Sequence, residues 1–186
     1  MSDKFILVPR DELYTVKTYL KTAFFWLIWG IVKYIPSPIG DFTRYGVLKL
    51  FTQKIHSWRI KEGIWVIHPE KISIGRESGI SEYCHFDGYG GITIGNFVMI
   101  GHHTTLQTTD HQIDATSGKA IRYCGMNVGP IIIEDNVYIG AKVYICKGVK
   151  IGEGAVIGAG SIVTKDVQPN TVVVGNPAHF LRMRKK

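Results

Sequence analysis

The sequence predicts an all-β fold: a left-handed parallel β-helix of hexapeptide repeats, with an N-terminal helical segment and one long excursion loop. Three observations carry this. Aliphatic residues recur every six positions, at Ile74, Ile80 and Phe86, at Ile94, Ile100 and Leu106, and at Ile133, Ile139, Ile145, Ile151, Ile157 and Val163. Most have another aliphatic or small residue two positions earlier, among them Ile72, Ile92, Val98, Ile131, Val137, Val143, Val149 and Ala155. Many are followed by glycine, at Gly75, Gly95, Gly101, Gly140, Gly152 and Gly158. An α-helix would scatter a six-residue repeat around its circumference. In a triangular solenoid each hexapeptide makes one flat side and one corner. The aliphatic residue then points inward and stacks on its counterpart in the next coil, ~4.8 Å away. The small residue turns the corner, where a side chain would crowd the backbone.

The elements follow in chain order. Residues 1–60 read as a helical segment. The stretch KTAFFWLIWGIVK holds an apolar run, Ala23–Val32, flanked by lysines. The run is about half the ~20 residues needed to span a bilayer. Leu20, Ala23, Phe24, Leu27, Ile28 and Ile31 fall on one helical face, with Phe25, Trp26 and Trp29 off it. Two roles stay open for this helix. It packs against the body or a neighbouring subunit, or it lies in the headgroup zone of a membrane, where aromatics and flanking lysines are at home. Pro36 and Pro38 end it. A second helix is predicted over about 40–53, held down by Leu48, Phe51 and Ile55.

The β-helix is predicted over 61–178. It is interrupted once, by a loop over about 107–130 with the sequence QTTDHQIDATSGKAIRYCGMNVGP. A loop of this length in a compact repeat is functional or disordered. Its content of Asp110, His111, Asp114, Lys119 and Arg122 favours function. Residues 179–186 read as a basic C-terminal tail containing Arg182, Arg184, Lys185 and Lys186.

The net charge of +7 fits a basic solubilising surface, an anionic ligand or an anionic membrane face. No nucleic-acid motif is present, so nucleic acid is not an expected partner. The three cysteines, Cys84, Cys124 and Cys146, form neither an even set nor a CxxC pair. That argues against a disulfide framework and against structural zinc, and it fits a reducing compartment. The start, MSDKFILVPRDELY, lacks the basic head and cleavable apolar core of a signal peptide. The expected location is therefore cytoplasmic, with a position on the inner face of the membrane left open.

The string IGAKVYICKGVKIGEGAV, running on into IGAGSIVTKDVQPNTVVVGNPA at 157–178, resembles the hexapeptide-repeat acetyltransferases. The likeness is to galactoside and maltose O-acetyltransferases, nodulation-factor acetyltransferases and polysaccharide O-acetyltransferases. It covers residues 70–182, and GAGSIVTKD followed by GNPA is its most specific part. The first sixty residues do not resemble the usual N-terminal segment of the sugar acetyltransferases.

The resemblance implies an O-acetyltransferase that takes acetyl-CoA as co-substrate and acylates a saccharide hydroxyl in surface-polysaccharide or glycolipid synthesis. It implies a general-base histidine in the loop leaving the β-helix. The matching stretch TLQTTDHQID places that base at His111. A sugar hydroxyl is a poor nucleophile until its proton is removed, and a histidine titrating near neutrality can take that proton. Transfer is then direct, without an acyl-enzyme. Coenzyme A would lie between neighbouring β-helices, with Ala141 and Ala159 along its pantetheine. Thr164 and Lys165 would lie near its adenosine phosphates, where a lysine point charge suits an anion. Arg182 matches a basic residue beyond GNPA, and His179 stands where relatives often carry arginine. Ser81 stands where relatives have an oxyanion-stabilising asparagine. Its hydroxyl or backbone N–H is the candidate replacement. His85 and Asp87 mark the acceptor pocket, and Gly88, Gly90 and Gly91 imply an irregular corner beside it.

The implied assembly is a homotrimer with the active site between subunits. Flat prism faces lined with aliphatic residues pack well against identical faces under three-fold symmetry. The implied partners are coenzyme A and a saccharide acceptor. The apolar run and the positive charge favour a lipid-linked acceptor and peripheral membrane contact. Three rivals remain. One is a xenobiotic or amino-sugar N-acetyltransferase on the same fold. Another is a γ-class carbonic anhydrase, which needs three converging histidines on zinc. His85, His103 and His111 are available for that, but the adjacent His102–His103 pair and GAGSIVTKD speak against it. The third is a non-catalytic β-helix scaffold, against which His111 and Lys165 speak. No metal site is expected.

Overall fold

The computed structural model describes residues 6–8, 16–113, 118 and 120–185, so Asp114 and Lys119 lie outside the described residues. Three sheets of parallel strands wrap into a prism of about six turns. The first face holds Lys54–Ile55, Ile72–Ile74, Ile92–Ile94, Ile131–Ile133 and Lys150–Ile151. The second holds Gly79–Ile80, Met99–Ile100, Tyr138–Ile139, Val156–Ile157 and Thr171–Val174. The third holds Trp65–Ile67, His85–Asp87, Thr105–Gln107, Tyr144–Ile145 and Ile162–Val163.

The six-residue series sets the register. Ile74, Ile94, Ile133 and Ile151 stack in one column. Ile80, Ile100, Ile139, Ile157 and Val173 form the second column. Phe86, Leu106, Ile145 and Val163 form the third. The members of the series are buried in the prism, each contributing about 1.5–3 kcal/mol of apolar burial. Glycine follows them because the coils approach closely: a Cβ on Gly140 would lie 2.6 Å from the backbone nitrogen of Ala159. The left-handed φ of this corner falls two residues later, at Tyr83, His103 and Lys142.

The described coils before the excursion are longer than those after it. Ile133 pairs with Ile151, eighteen residues on, whereas Ile72 pairs with Ile92, twenty residues on. The extra length is taken up at the expected irregular corner. There Gly91 has φ +93, and a Cβ on Gly88 would lie 2.7 Å from the His68 carbonyl oxygen.

Two helices, α1 (Val16–Val32) and α2 (Ser37–Phe51), form a hairpin against the N-terminal end of the prism. Pro38 sits in the first turn of α2, where its missing N–H costs nothing. The buried side of α1 is not its aliphatic face. Phe25 and Trp29 are 1% and 0% exposed, while Leu20, Phe24, Leu27 and Ile31 face outward. The aromatic side fits better because Phe25 stacks on Trp29 at 5.6 Å and the Trp29 indole N–H donates to the Ile64 carbonyl at 2.9 Å. A buried indole requires such an acceptor. In α2, Arg44 is fully buried. Its Nε donates to the Ile60 carbonyl, and its Nη2 and the Lys61 ammonium both bond the Asp41 carboxylate.

The excursion has structure at its base. Thr109–His111 pairs antiparallel with Met126–Val128, whose other edge pairs with Ile6–Val8. The segment read as a tail starts as a strand, His179–Met183, antiparallel to Thr171–Val174. No helix among the described residues is long and apolar enough to cross a membrane.

Candidate active site

At the corner between the third and first faces, Ile67, His68, His85, Asp87, Tyr89, Gln107, Thr109 and Met126 line a cavity of about 200 Å³. The ladder explains how they meet. Ile67, Asp87 and Gln107 are in register at the ends of successive third-face strands. Inward Phe86 sets His85 and Asp87 on the outer side of their strand.

Asp87 is buried and organises this corner. Its Oδ2 accepts from Gln107 Nε2 at 2.9 Å and from Thr109 Oγ1 at 2.6 Å, and its Oδ1 accepts from the Tyr89 backbone N–H at 3.2 Å. Thr108 Oγ1 donates to the Asp87 carbonyl and accepts from the Gly90 N–H. The carboxylate therefore pins the point at which the chain leaves the solenoid. Burial pushes the His85 imidazole below its ordinary pKa, and the nearby Asp87 charge offsets this only in part. His85 is thus held neutral at pH 7.

His68 engages Glu70 through Nδ1 at 3.0 Å and meets the Tyr89 ring edge-on at 5.1 Å. Burial pushes the Glu70 carboxyl up. The His68 hydrogen bond, a bond to its own backbone N–H and the charges of His68 and Lys21 outweigh this and hold it below the usual carboxylate range. The Glu70 carboxylate fixes the ring through Nδ1.

His111 is exposed and lies opposite Met126 in the hairpin. Strand alternation puts it on the same side as Thr109, which lines the cavity, and His111 itself is not among the lining residues. Asp110, on the other side, meets Lys147 at 3.3 Å. The cavity brings His85 and Asp87 together, and His111 lies two residues along the strand from Thr109, which lines it with them. Ser81 does not line the cavity. It begins the corner between the second and third faces, and its backbone N–H is committed to the Ile100 carbonyl at 2.9 Å. Only its hydroxyl remains as a donor.

The cofactor candidates divide between two corners. Ala141 and Ala159 stack at the corner between the second and third faces, where the Gly160 N–H donates to the Ala141 carbonyl. His179 continues this column: the space above Gly175 is filled by its ring, with Cε1 3.0 Å from an added Cβ. Arg182 is exposed on the same added strand and donates to the Met183 carbonyl. Thr164 and Lys165 are exposed just after the last third-face strand, at that face's other edge.

Reading the sequence missed His68, Glu70, Tyr89, Gln107, Thr109 and Met126. A signal was available for Gln107, because the six-residue ladder that pairs Phe86 with Leu106 also sets Asp87 beside it. Cys84 is no nucleophile: burial pushes its thiol up to about 12. His103 stacks on Tyr83 at 5.3 Å, at the far corner of the third face. No group of three His, Cys, Asp or Glu residues among the described residues is arranged to hold a metal ion.

Residues 130–165 match the family model for the hexapeptide repeat of succinyl-transferase. The chain is 45% identical over 112 residues to a protein of Schizosaccharomyces pombe named as an acetyltransferase, covering 60% of this chain and 52% of that one. It is 40% identical over 131 residues to the galactoside O-acetyltransferase of Escherichia coli, covering 66% and 62%. The chain thus spans between half and two thirds of the length of these relatives. A hexapeptide-repeat acetyltransferase of Vibrio cholerae, solved with acetyl coenzyme A, superposes with a TM-score of 0.80 at 27% identity, covering 92% of this chain and 91% of that one. Repeat, prism and relatives together make the chain similar to the hexapeptide-repeat acetyltransferases.

Proposed function

We propose that this protein is an acetyl-CoA-dependent O-acetyltransferase that acts on a saccharide hydroxyl as a homotrimer, with His111 as general base. The observation that carries the reading is the position of His111 two residues beyond Thr109, on the strand that Asp87 fixes beside a polar cavity. The cavity is smaller than the ~300–1,000 Å³ of drug-sized sites. A single sugar ring offering several hydroxyls matches its histidines, carboxylate, amide and hydroxyl. The relatives named for galactoside O-acetylation and solved with acetyl coenzyme A support both the acceptor class and the donor.

In this reading His111 takes the proton of the acceptor hydroxyl as the oxygen attacks the thioester carbonyl. The C–O bond forms, the C–S bond breaks, and His111 returns the proton to the departing thiolate. Ala141, Ala159, Thr164, Lys165, His179 and Arg182 are assigned to coenzyme A. Small alanines leave a corner open to pantetheine, and Lys165 supplies a point charge for phosphate. His85 and Asp87 face the acceptor, and Ser81, at the other corner of the third face, takes no part at this cavity. A surface polysaccharide or glycolipid precursor, lipid-linked, is the preferred acceptor.

His111→Ala is expected to lower kcat by ~10²–10⁴ while leaving coenzyme A affinity close to that of the parent. Thiol release from acetyl-CoA with a panel of saccharides, alongside calorimetric titration of coenzyme A, measures both. Full turnover in the variant removes His111 from the chemistry.

A further inference from the structure

We propose that the outer face of the α1–α2 hairpin docks on an anionic lipid bilayer and so brings the cavity to the membrane surface. On α1, Leu20, Phe24, Leu27 and Ile31 follow one another at helical spacing and are 58–71% exposed. On α2, Ile39, Phe42 and Leu50 are 57–81% exposed. Phe24 meets Phe51 at 6.2 Å, which joins the two stripes, and Trp58 stacks on Phe42 at 5.0 Å. Single exposed apolar residues are ordinary, but a joined run of them marks an interaction surface.

Charge identifies the occupant. Residues 16–61 hold eight lysines and arginines against one acid, Asp41, which is buried between Arg44 and Lys61. Lys21, Lys49 and Lys54 are exposed on this hairpin and the strand after it. A second copy packed through this same face would set its own Lys21, Lys49 and Lys54 against these lysines. Anionic headgroups bring the opposite sign, and each basic residue near them adds to binding. Helices of 17 and 15 residues that each leave an apolar side exposed can lie in the interface plane.

The opposite side of α1 connects this surface to the cavity. Trp26 packs on Trp65 at 3.9 Å, and Ile67, on the same strand as Trp65, lines the cavity. A saccharide carried on a lipid in that bilayer would reach the cavity without leaving the membrane. This second step rests on the acceptor reading given above, and the docking step does not.

Flotation of the full chain with vesicles tests it. Binding is expected to vesicles of phosphatidylcholine and phosphatidylglycerol in equal parts, and to be at least ~tenfold weaker to phosphatidylcholine alone. Lys21→Gln with Lys49→Gln keeps the apolar contacts and is expected to weaken binding on the order of thirtyfold. Leu27→Glu with Ile31→Glu is expected to abolish flotation while oligomeric size, coenzyme A affinity and turnover of a soluble saccharide stay at parental levels. A parent that does not float, or lysine variants that float as the parent does, overturn the docking. A smaller oligomer in the Leu27→Glu, Ile31→Glu variant also overturns it, by identifying the face as a contact between copies. A parent that floats but acetylates no saccharide, free or lipid-linked, defeats the acyl-transfer reading alone.

Discussion

Asp87 joins the solenoid to the excursion. Its side chain receives three donors, two of them from Gln107 and Thr109, just before His111. An amide in its place would set its own N–H group against one of those donors. Asp87→Asn is therefore expected to cost about 1–3 kcal/mol of stability. It is also expected to lower kcat by ~tenfold or more by displacing His111. Chemical denaturation and steady-state kinetics measure the two effects, and unchanged kcat would mean that the strand holds His111 without this bond. His85 gives a pH signature. Its folded pKa is depressed, so the unfolded chain takes the proton more readily. The contribution of neutral His85 is complete above the ordinary imidazole value and is lost as pH falls below ~6.5. Thermal unfolding scanned from about pH 8 to pH 5 should show a steeper acid loss in the parent than in His85→Gln. The hexapeptide register sets His85 and Asp87 on either side of inward Phe86, so their shared outward side was legible in the sequence. His68 and Glu70 could not, since their pairing depends on the turn at Pro69 and not on any period.

At the level of elements, strands and helices were legible to different degrees. A six-residue period names both the inward residue and its partner in the next coil, so the three columns follow from the sequence. The helix α1 carries two apolar sides, and periodicity alone does not say which one is buried. Indole hydrogen bonding and aromatic stacking at the prism end decided it in favour of Phe25 and Trp29. The strands Thr109–His111 and Met126–Val128 escaped notice because a polar three-residue pair has no hydrophobic signature. The hairpin depends on a buried ionic cluster. Asp41→Ala leaves the fully buried Arg44 guanidinium without its carboxylate. The expected cost is about 3–5 kcal/mol, read as a lower denaturation midpoint. A loss below about 1 kcal/mol would show that the carbonyls of Ile35 and Ile60 satisfy Arg44 unaided.

At the scale of the whole molecule, the proposed trimer would use the second face of the prism. Met99 and Tyr138 stand exposed in one outward row, and the added strand sets Phe180, Leu181 and Met183 at the end of the same sheet. Tyr138→Glu is expected to shift the proposed trimer to monomer in sedimentation velocity and to weaken coenzyme A binding with it, since a charge in an apolar contact is costly. A stable trimer with a normal coenzyme A site would move the contact to another face. One further connection spans the molecule. Ile6–Val8 lies beside Met126–Val128, which lies beside Thr109–His111. This pairing closes over more than a hundred residues of chain, and closure over such separations is slow relative to local contacts. The coils can stack as each emerges, but the sheet bearing His111 is complete only when the first strand returns to it. Catalytic competence is therefore expected to lag behind the formation of the β-helix during refolding, so that the protein acquires its shape before its activity.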